Sequence, residues 1–335
     1  MSDFKNRLER FLCASGEPTT NVQQLTPDAS TRDYFRIQWK GSTAIACVYP
    51  EPFLAGEQTY LDVTRLFLAS GLPVAEIYAF EESLGIIVLE DLGDTILRTI
   101  LQESSDNDRE ELIDSSIALI ARIQLATKSA FDTGSVASRL KFDVEKLMWE
   151  MDFFRTHYFG TLKRRPLSSS ENSALTSEFT ELSKELDERA SVLCHRDFHA
   201  ANLMIDHSGR LRIIDHQDAR VGTAAYDLVS LLLDRVTEPP PIGWLGVKRR
   251  LLIEERVKLG LPRLDEDEFT REFRLQAVQR CLKAVGTFSF QSASRGKTHF
   301  LAFIEPMFRI SLRAATELDR FPVMREILSR EIYED

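Results

Sequence analysis

The chain has 335 residues, a formal net charge of −10 and 28% charged residues. This length exceeds what one compact lobe usually holds, so we expect two unequal lobes. The acidic balance disfavours nucleic acid as a partner, because phosphate backbones are bound by clustered lysine and arginine. The four cysteines have no CxxC spacing, and no segment reaches the ~18 apolar residues of a membrane helix. These features predict a cytoplasmic protein with no membrane association, disulfide framework or zinc knuckle.

Helix and strand patterns alternate over the first 93 residues. "DFKNRLERFLCAS" has the apolar spacing of a short helix, and "DYFRIQW" with "TAIACVYP" indicates an antiparallel hairpin around the turn "KGS". A helical pattern over "PFLAGEQTYLDVTRLFLAS" ends at Gly71, a residue that adopts the left-handed conformation of a helix C-cap at little cost. "EIYAFEESLGIIVLEDLGD" predicts two further strands. Residues 1–93 are therefore predicted to form a small α+β lobe, an antiparallel sheet with a helix packed on it.

Most of residues 94–335 has helical periodicity, and we expect a larger, mainly helical lobe there. The predicted helices cover residues 108–127, 144–158, 170–188, 226–235 and the long segments after Pro262. Residues 158–170 are predicted to be a loop, and "TEPPPIG" is excluded from a helix interior. The helices are interrupted by "SVLCHRDFHAANLMIDHSGRLRIIDHQDA", in which "NLMID" and "LRIID" flank the turn "HSG" as a second short hairpin.

This interruption contains two aspartates and an asparagine at a characteristic spacing, Asp197, Asn202 and Asp215. A magnesium-type cation prefers carboxylate and amide oxygens and keeps waters and substrate phosphates for the rest of its shell. Asn202 and Asp215 supply such a pair, which leaves Asp197 to orient or deprotonate a hydroxyl nucleophile. The spacing H-R-D-x-x-x-x-N is that of the catalytic loop of protein-kinase-like phosphotransferases.

Five segments extend this similarity over residues 28–288: "DASTRDYFRI", "IIVLEDLGD", "CHRDFHAANLMI", "IIDHQDARVGTAAYDLVSLL" and "QRCLKAVGTFSF". With them the chain resembles the aminoglycoside phosphotransferase and choline kinase branch of the protein-kinase-like fold. Within that branch it is most similar to the bacterial kinases that phosphorylate N-acetylmuramate and N-acetylglucosamine at C1. The resemblance implies a bilobal α+β fold, ATP and Mg²⁺ as cofactors, and an amino sugar as the acceptor. In it Asp197 is the catalytic residue, and Asn202 and Asp215 are the metal ligands.

The resemblance also implies roles for residues around this loop. Hydroxyl, guanidinium and backbone groups are expected to bind the nucleotide at Ser30, Thr31, Arg32, Arg36, Glu90 and Leu92. Acceptor binding is expected of Glu150, His199, Gln217 and Asp218. Structural support of the catalytic loop is expected of His195, Arg196 and Asp227.

Two departures from the kinase pattern leave alternatives open. The nucleotide loop "PDASTRDYF" has no glycine, and the strand "TAIACVYPEP" lacks the lysine that usually positions the phosphates. Arg36 is the nearest candidate to replace that lysine, and Glu57 is the candidate for its helix carboxylate. Arg280 and Lys283, one helical turn apart, are candidates to bind an acidic substituent of the acceptor.

Other functions remain compatible with these residues. An aminoglycoside, choline or other amino-alcohol kinase is the alternative enzyme, and a nucleotide-binding pseudokinase is the alternative of another class. A protein kinase is disfavoured, because "YDL" follows Asp215 with no room for an activation loop. The sequence gives no indication of protein partners.

Overall fold

The computed structural model of the chain describes residues 3–25 and 32–333. The chain forms two compact units. The first unit comprises Met1–Glu103 with Ala200–Asp218, and the second comprises Ser104–His199 with Ala219–Asp335. The boundary between the two lobes that the sequence suggests after residue 93 stays a prediction. The compact units divide ten residues later in the chain, and the first also includes the hairpin segment 200–218.

An antiparallel sheet of five strands forms the centre of the first unit, in the order β1-β2-β3-β5-β4. The strands are β1 (Gln23–Leu25), β2 (Asp33–Trp39), β3 (Ser42–Val48), β4 (Ile77–Glu81) and β5 (Ile86–Glu90). The two predicted hairpins are confirmed, since β2 pairs with β3 and β4 pairs with β5. Alternate residues of β2 are buried, as expected where one face of a strand packs against a core.

Both faces of this sheet are covered by apolar side chains. Helix α1 (Asp3–Ala14) packs Leu8, Phe11 and Leu12 against one face, and Phe11 stacks on Trp39 at 5.6 Å between ring centroids. Helix α2 (Thr59–Ala69) contributes Tyr60 and Leu61 to a second apolar cluster, which includes the strand residues that point to the opposite face of the sheet. Burial on both faces accounts for the uninterrupted apolar run of β5. Gly71 follows α2 with a φ of 70°, the left-handed geometry that the sequence predicts.

Four short strands follow the first sheet along the chain: β6 (Val192–Cys194), β7 (Leu203–Ile205), β8 (Leu211–Ile213) and β9 (Arg220–Gly222). Strands β7 and β8 form the predicted second hairpin, with Leu203 opposite Ile213. This hairpin is bonded into the first unit, because the N–H groups of Ile205 and Ile213 donate to the carbonyls of Thr95 and Pro73. Strand β6 pairs with β9 in the second unit.

Helices make up most of the second unit. After α3 (Leu97–Glu103) of the first unit, the helices are α4 (Asp106–Leu125), α5 (Thr127–Thr133), α6 (Val136–Arg139), α7 (Val144–Arg155), α8 (Ser169–Arg189), α9 (Tyr226–Leu233), α10 (Ile242–Lys258), α11 (Glu266–Arg295), α12 (Ile304–Glu317) and α13 (Pro322–Tyr333). The predicted loop at 158–170 is wrong in its first residues, because α7 continues as a π-helical turn over Thr156–Leu162. Within the described residues, no helix is both long and apolar enough to cross a bilayer.

Helices α7 and α11 approach each other closely at Gly286. A Cβ atom on Gly286 would lie 2.7 Å from the Cα of Phe154 and 2.9 Å from its backbone nitrogen. These are backbone atoms of a buried helix, so they cannot move away without displacing α7. The absence of a side chain at Gly286 is therefore a requirement of this helix contact.

We expect Gly286→Ala to lower the free energy of unfolding by about 1–3 kcal/mol, the usual cost of overpacking a core. Gly246 is a matched control, because it is also a buried helical glycine but a Cβ there would meet side-chain atoms only at 3.7 Å. Gly246→Ala should be neutral or stabilising, since alanine favours helix by up to about 1 kcal/mol over glycine. Urea unfolding of both variants measures the difference, and equal effects would contradict the close contact.

Candidate active site

The predicted catalytic loop of the second unit is held by a buried carboxylate at the start of α9. The backbone N–H groups of His195 and Arg196 donate to the two carboxylate oxygens of Asp227, at 2.7 and 3.1 Å. Asp227 is fully buried, and burial raises its pKa to about 6 despite these bonds. Arg196 has a φ of 87°, an unusual conformation for a residue with a side chain. The two bonds to Asp227 thus fix the backbone immediately before Asp197.

Three cations surround the carboxylate of Asp197. Its oxygens lie 3.4 Å from Arg280 Nη2, 3.5 Å from Lys283 Nζ and 3.7 Å from Arg196 Nε. Burial disfavours the ionised carboxylate, but the charges of Lys283, Arg196 and Arg280 outweigh it and hold the pKa of Asp197 well below its usual range. The side chain is 26% exposed, so it remains accessible to a small molecule. Asp197 is therefore an ionised, partly exposed hydrogen-bond acceptor.

Glu150 of α7, which is predicted to bind the acceptor, is buried and bonded to a residue of α11. Its Oε2 accepts a hydrogen bond of 2.8 Å from Gln279 Nε2, and Lys146 Nζ lies 3.9 Å from its Oε1. Glu150 is only 1% exposed, and its Oε1 has no hydrogen-bond partner among the described residues. Such an oxygen is costly to bury unless something donates to it. His199, also predicted to bind the acceptor, donates its N–H to the carbonyl of Asp197 at 3.0 Å.

The two predicted metal ligands lie in the first unit, at the same end of the β7–β8 hairpin. The N–H of Ile214 donates to the carbonyl of Asn202 at 3.1 Å, which joins the start of β7 to the residue before Asp215. The Asp215 side chain is 44% exposed and accepts a hydrogen bond of 2.9 Å from Gln217 Nε2. Asp218 is half-buried. An amide and a carboxylate at one hairpin end suit the oxygen preference of Mg²⁺.

No cluster of three or more histidine, cysteine, aspartate or glutamate side chains suited to a metal occurs within residues 3–25 and 32–333. The predicted pair Asn202 and Asp215 fits a cation that takes most of its ligands from water and substrate phosphates.

The predicted nucleotide residues have different surroundings. Ser30 and Thr31 lie outside the described residues. Arg32 Nη2 lies 3.6 Å from Asp215 Oδ1, whereas Arg36 is bonded to both Asp91 and Asp94, at 2.7 to 3.1 Å. Arg36 thus connects β2 to the segment that follows β5.

The end of β5, predicted to contact adenine, is held by an arginine that sequence reasoning missed. Arg212 of β8 bonds to Glu90 and Asp206, at 2.9 and 3.0 Å, and to the carbonyl of Val74. Glu90 also donates its N–H to Glu76, and Leu92 is buried. The signal in the sequence was a basic residue inside the otherwise apolar strand "LRIID". This network joins the metal-ligand hairpin to the predicted adenine segment within the first unit.

Helix α2 is joined to the segment after Asp215 by a buried hydrogen bond. Thr64 Oγ1 lies 2.7 Å from His216 Nε2, and the His216 ring packs on Tyr60 and Phe67 at 5.0 and 5.3 Å between centroids. The prediction of Glu57 as the helix carboxylate is wrong. Glu57 is exposed in a turn, because α2 begins at Thr59 after the side chain of Gln58 caps it.

We expect Thr64→Val to lower the free energy of unfolding by about 1–2 kcal/mol, because it leaves the His216 ring nitrogen without this partner in a buried site. Valine preserves the shape of threonine, and Thr64→Ser, which keeps the hydroxyl, should retain most of the stability. Urea unfolding of the three proteins measures this. A valine variant as stable as the serine variant would show that the bond contributes nothing.

Comparisons with known proteins show the family to which the sequence is similar. The sequence profile of the phosphotransferase enzyme family matches residues 21–266. An N-acetylmuramate/N-acetylglucosamine kinase of Neisseria meningitidis serogroup B is 29% identical over 310 residues, which cover 91% of this chain and 90% of that protein. A kinase of the same name from Pseudomonas aeruginosa is 27% identical and covers 93% of this chain and 89% of its own length.

Solved structures show the same fold at low identity. Choline kinase LicA from Streptococcus pneumoniae is 14% identical with a TM-score of 0.58, covering 94% of this chain and all of that chain. The ADP-bound aminoglycoside phosphotransferase APH(2'')-Ib is 12% identical with a TM-score of 0.56, covering 92% of this chain and 98% of that chain. The α+β kinase-like fold predicted from the sequence is thereby confirmed.

Proposed function

Because the chain belongs to the phosphotransferase enzyme family, we propose that it transfers the γ-phosphoryl group of ATP to the C1 hydroxyl of N-acetylmuramate or N-acetylglucosamine. The observation that carries this proposal is the ionised Asp197 in the H-R-D-x-x-x-x-N loop, surrounded by cations. A carboxylate in that position accepts a hydrogen bond from the sugar hydroxyl and aligns its oxygen for attack on the phosphorus.

The nucleotide side of the proposal follows the predicted residues of the first unit. Asn202 and Asp215 would hold Mg²⁺, which neutralises charge on the transferring phosphate when bound. Backbone groups of Glu90 and Leu92 would read the adenine edge, and Ser30 and Thr31 would donate to phosphate oxygens. Phosphoryl transfer requires little covalent chemistry from the protein, so positioning and charge account for most of the catalysis.

The charges around Asp197 favour a sugar acceptor over a cationic one. Choline and aminoglycosides carry positive charge, and Arg280 and Lys283 would repel it beside the reacting hydroxyl. N-acetylmuramate carries a carboxylate, which these cations would attract, and N-acetylglucosamine is neutral. Glu150 is buried and bonded to Gln279, so its predicted contact with a sugar hydroxyl would require the side chain to become accessible. The names of the two bacterial relatives support the same acceptors.

A cytoplasmic location is part of this proposal. The described structure has Cys13, Cys47, Cys194 and Cys281 as free thiols. Free thiols suit the reducing compartment in which ATP is also available.

We expect ATP turnover with N-acetylmuramate and N-acetylglucosamine, and little or none with choline or kanamycin. ADP release with each acceptor measures this. Asp197→Asn should reduce kcat by about 100-fold or more while ATP still binds, because a neutral amide cannot take the proton of the sugar hydroxyl and accepts its hydrogen bond more weakly than a carboxylate. Turnover restricted to choline or kanamycin would favour the amino-alcohol kinase, and ATP binding without turnover of any acceptor would favour the pseudokinase.

We also expect Lys283→Met to move the acid limb of kcat/KM to higher pH. The sign follows from charge: Lys283, Arg196, Arg280 and His199 favour the ionised form of Asp197, so removing one cation raises the pKa of Asp197 towards its usual value. Activity of the variant should then fall at a pH where the wild type remains fully active.

Profiles of kcat/KM between about pH 2.5 and pH 7 test this shift, because the pKa of Asp197 in the variant stays at or below the usual carboxyl value of about 4. Lys184→Met is the control, since Lys184 is an exposed lysine of α8 in the same unit. Superimposable profiles of wild type and Lys283→Met would contradict the electrostatic role.

A further inference from the structure

Strand β3 has only uncharged residues, so a cation for the nucleotide phosphates has to come from another element. Kinases of this fold usually place a lysine there. The described part of the first unit has several arginines. Two of them bond to neighbouring protein groups, and a third is exposed to solvent. Arg7 bonds to backbone carbonyls, Arg212 bonds to Glu90 and Asp206, and Arg65 is exposed on α2.

We infer that Arg32 replaces the missing lysine and binds the phosphates of ATP beside Asp215. This inference rests on the proposed function and extends it to the residue that positions the transferring group. It assigns to Arg36, the candidate named from the sequence, a different role.

The position of Arg32 carries the inference. Its guanidinium lies 3.6 Å from a carboxylate oxygen of Asp215, the predicted metal ligand. A group beside the metal ligand would also lie near the phosphates of a nucleotide bound with its metal ion. The side chain is 15% exposed, so the guanidinium is largely buried but open to a ligand.

Two tyrosines hold the guanidinium in place. The Cζ atom of Arg32 lies 5.8 Å from the ring centroid of Tyr34 and 5.5 Å from that of Tyr49, and Nη1 donates to Tyr49 Oη at 3.4 Å. Tyr34 belongs to β2, and Tyr49 directly follows β3. Aromatic rings restrain an arginine without neutralising its charge. A preorganised, charged fork of N–H donors matches phosphate oxygens well.

Arg36 is unsuited to this role. Its donors form four hydrogen bonds with the carboxylates of Asp91 and Asp94, which neutralise its charge. The contact of Arg32 with Asp215, at 3.6 Å, is longer than all four of these bonds. Arg36 instead orders the segment after β5, where adenine is proposed to bind.

The two roles make different predictions for nucleotide binding. Arg32→Gln should weaken ATP binding about 10- to 100-fold, the loss expected for one charge-assisted hydrogen bond, and leave adenosine binding unchanged. Arg32→Lys should recover part of the ATP affinity. Arg36→Gln should weaken ATP and adenosine by the same factor, because it disturbs the adenine segment. Arg65→Gln, an exposed control in α2, should change neither.

Isothermal titration calorimetry with ATP and with adenosine, in the presence of Mg²⁺ and without acceptor, measures these affinities. Circular dichroism and urea unfolding establish that each variant is folded. Unchanged ATP affinity in Arg32→Gln, or an equal loss for ATP and adenosine, would overturn the inference. Failure of the proposed function is distinguishable, because there the wild type binds no ATP or phosphorylates none of the sugars.

Discussion

The position of Asp197, the proposed catalytic carboxylate, depends on two backbone hydrogen bonds to the buried side chain of Asp227. Asp227 lies in the first turn of α9, so this helix determines where His195 and Arg196 place their N–H groups. Because Asp197 follows directly, its carboxylate is directed towards α11 and the cations of that helix. The backbone conformation of the predicted catalytic loop therefore depends on one buried acid, which belongs to a helix of the second unit.

The local charge around Asp197 is opposite to that of the whole protein. The chain carries a net charge of −10, which by itself suits cationic substrates. Yet Arg280 and Lys283 bring positive charge to the catalytic carboxylate, and Glu150 beside them is bonded to Gln279. A neutral or anionic acceptor fits these surroundings better than choline or an aminoglycoside. Acceptor preference in such a protein follows the few charges at the site and not the surface total.

The sequence predicted the features that depend on short spacing. The H-R-D-x-x-x-x-N motif and the hairpin that follows it are local, and the period of the apolar residues was sufficient to place the strands and most helices. Contacts distant in sequence were not predictable in this way. Arg280 reaches Asp197 across 83 residues, which requires knowledge of the course of α11.

The same limit applies in the first unit. Arg36 pairs with Asp91 and Asp94 across 55 and 58 residues, and no local spacing indicates these bonds. Glu57 was placed in a helix because its segment has helical spacing, but the cap at Gln58 begins the helix two residues later. The boundary residues of an element depend on such caps more than on periodicity.

The position of phosphorus in the product tests the central claim most directly. We would incubate the protein with ATP, Mg²⁺ and N-acetylmuramate and record a two-dimensional proton–phosphorus NMR spectrum of the product. The account predicts a correlation between phosphorus and the anomeric proton H1. A correlation to any other sugar proton, or no phosphorylated sugar, would contradict it.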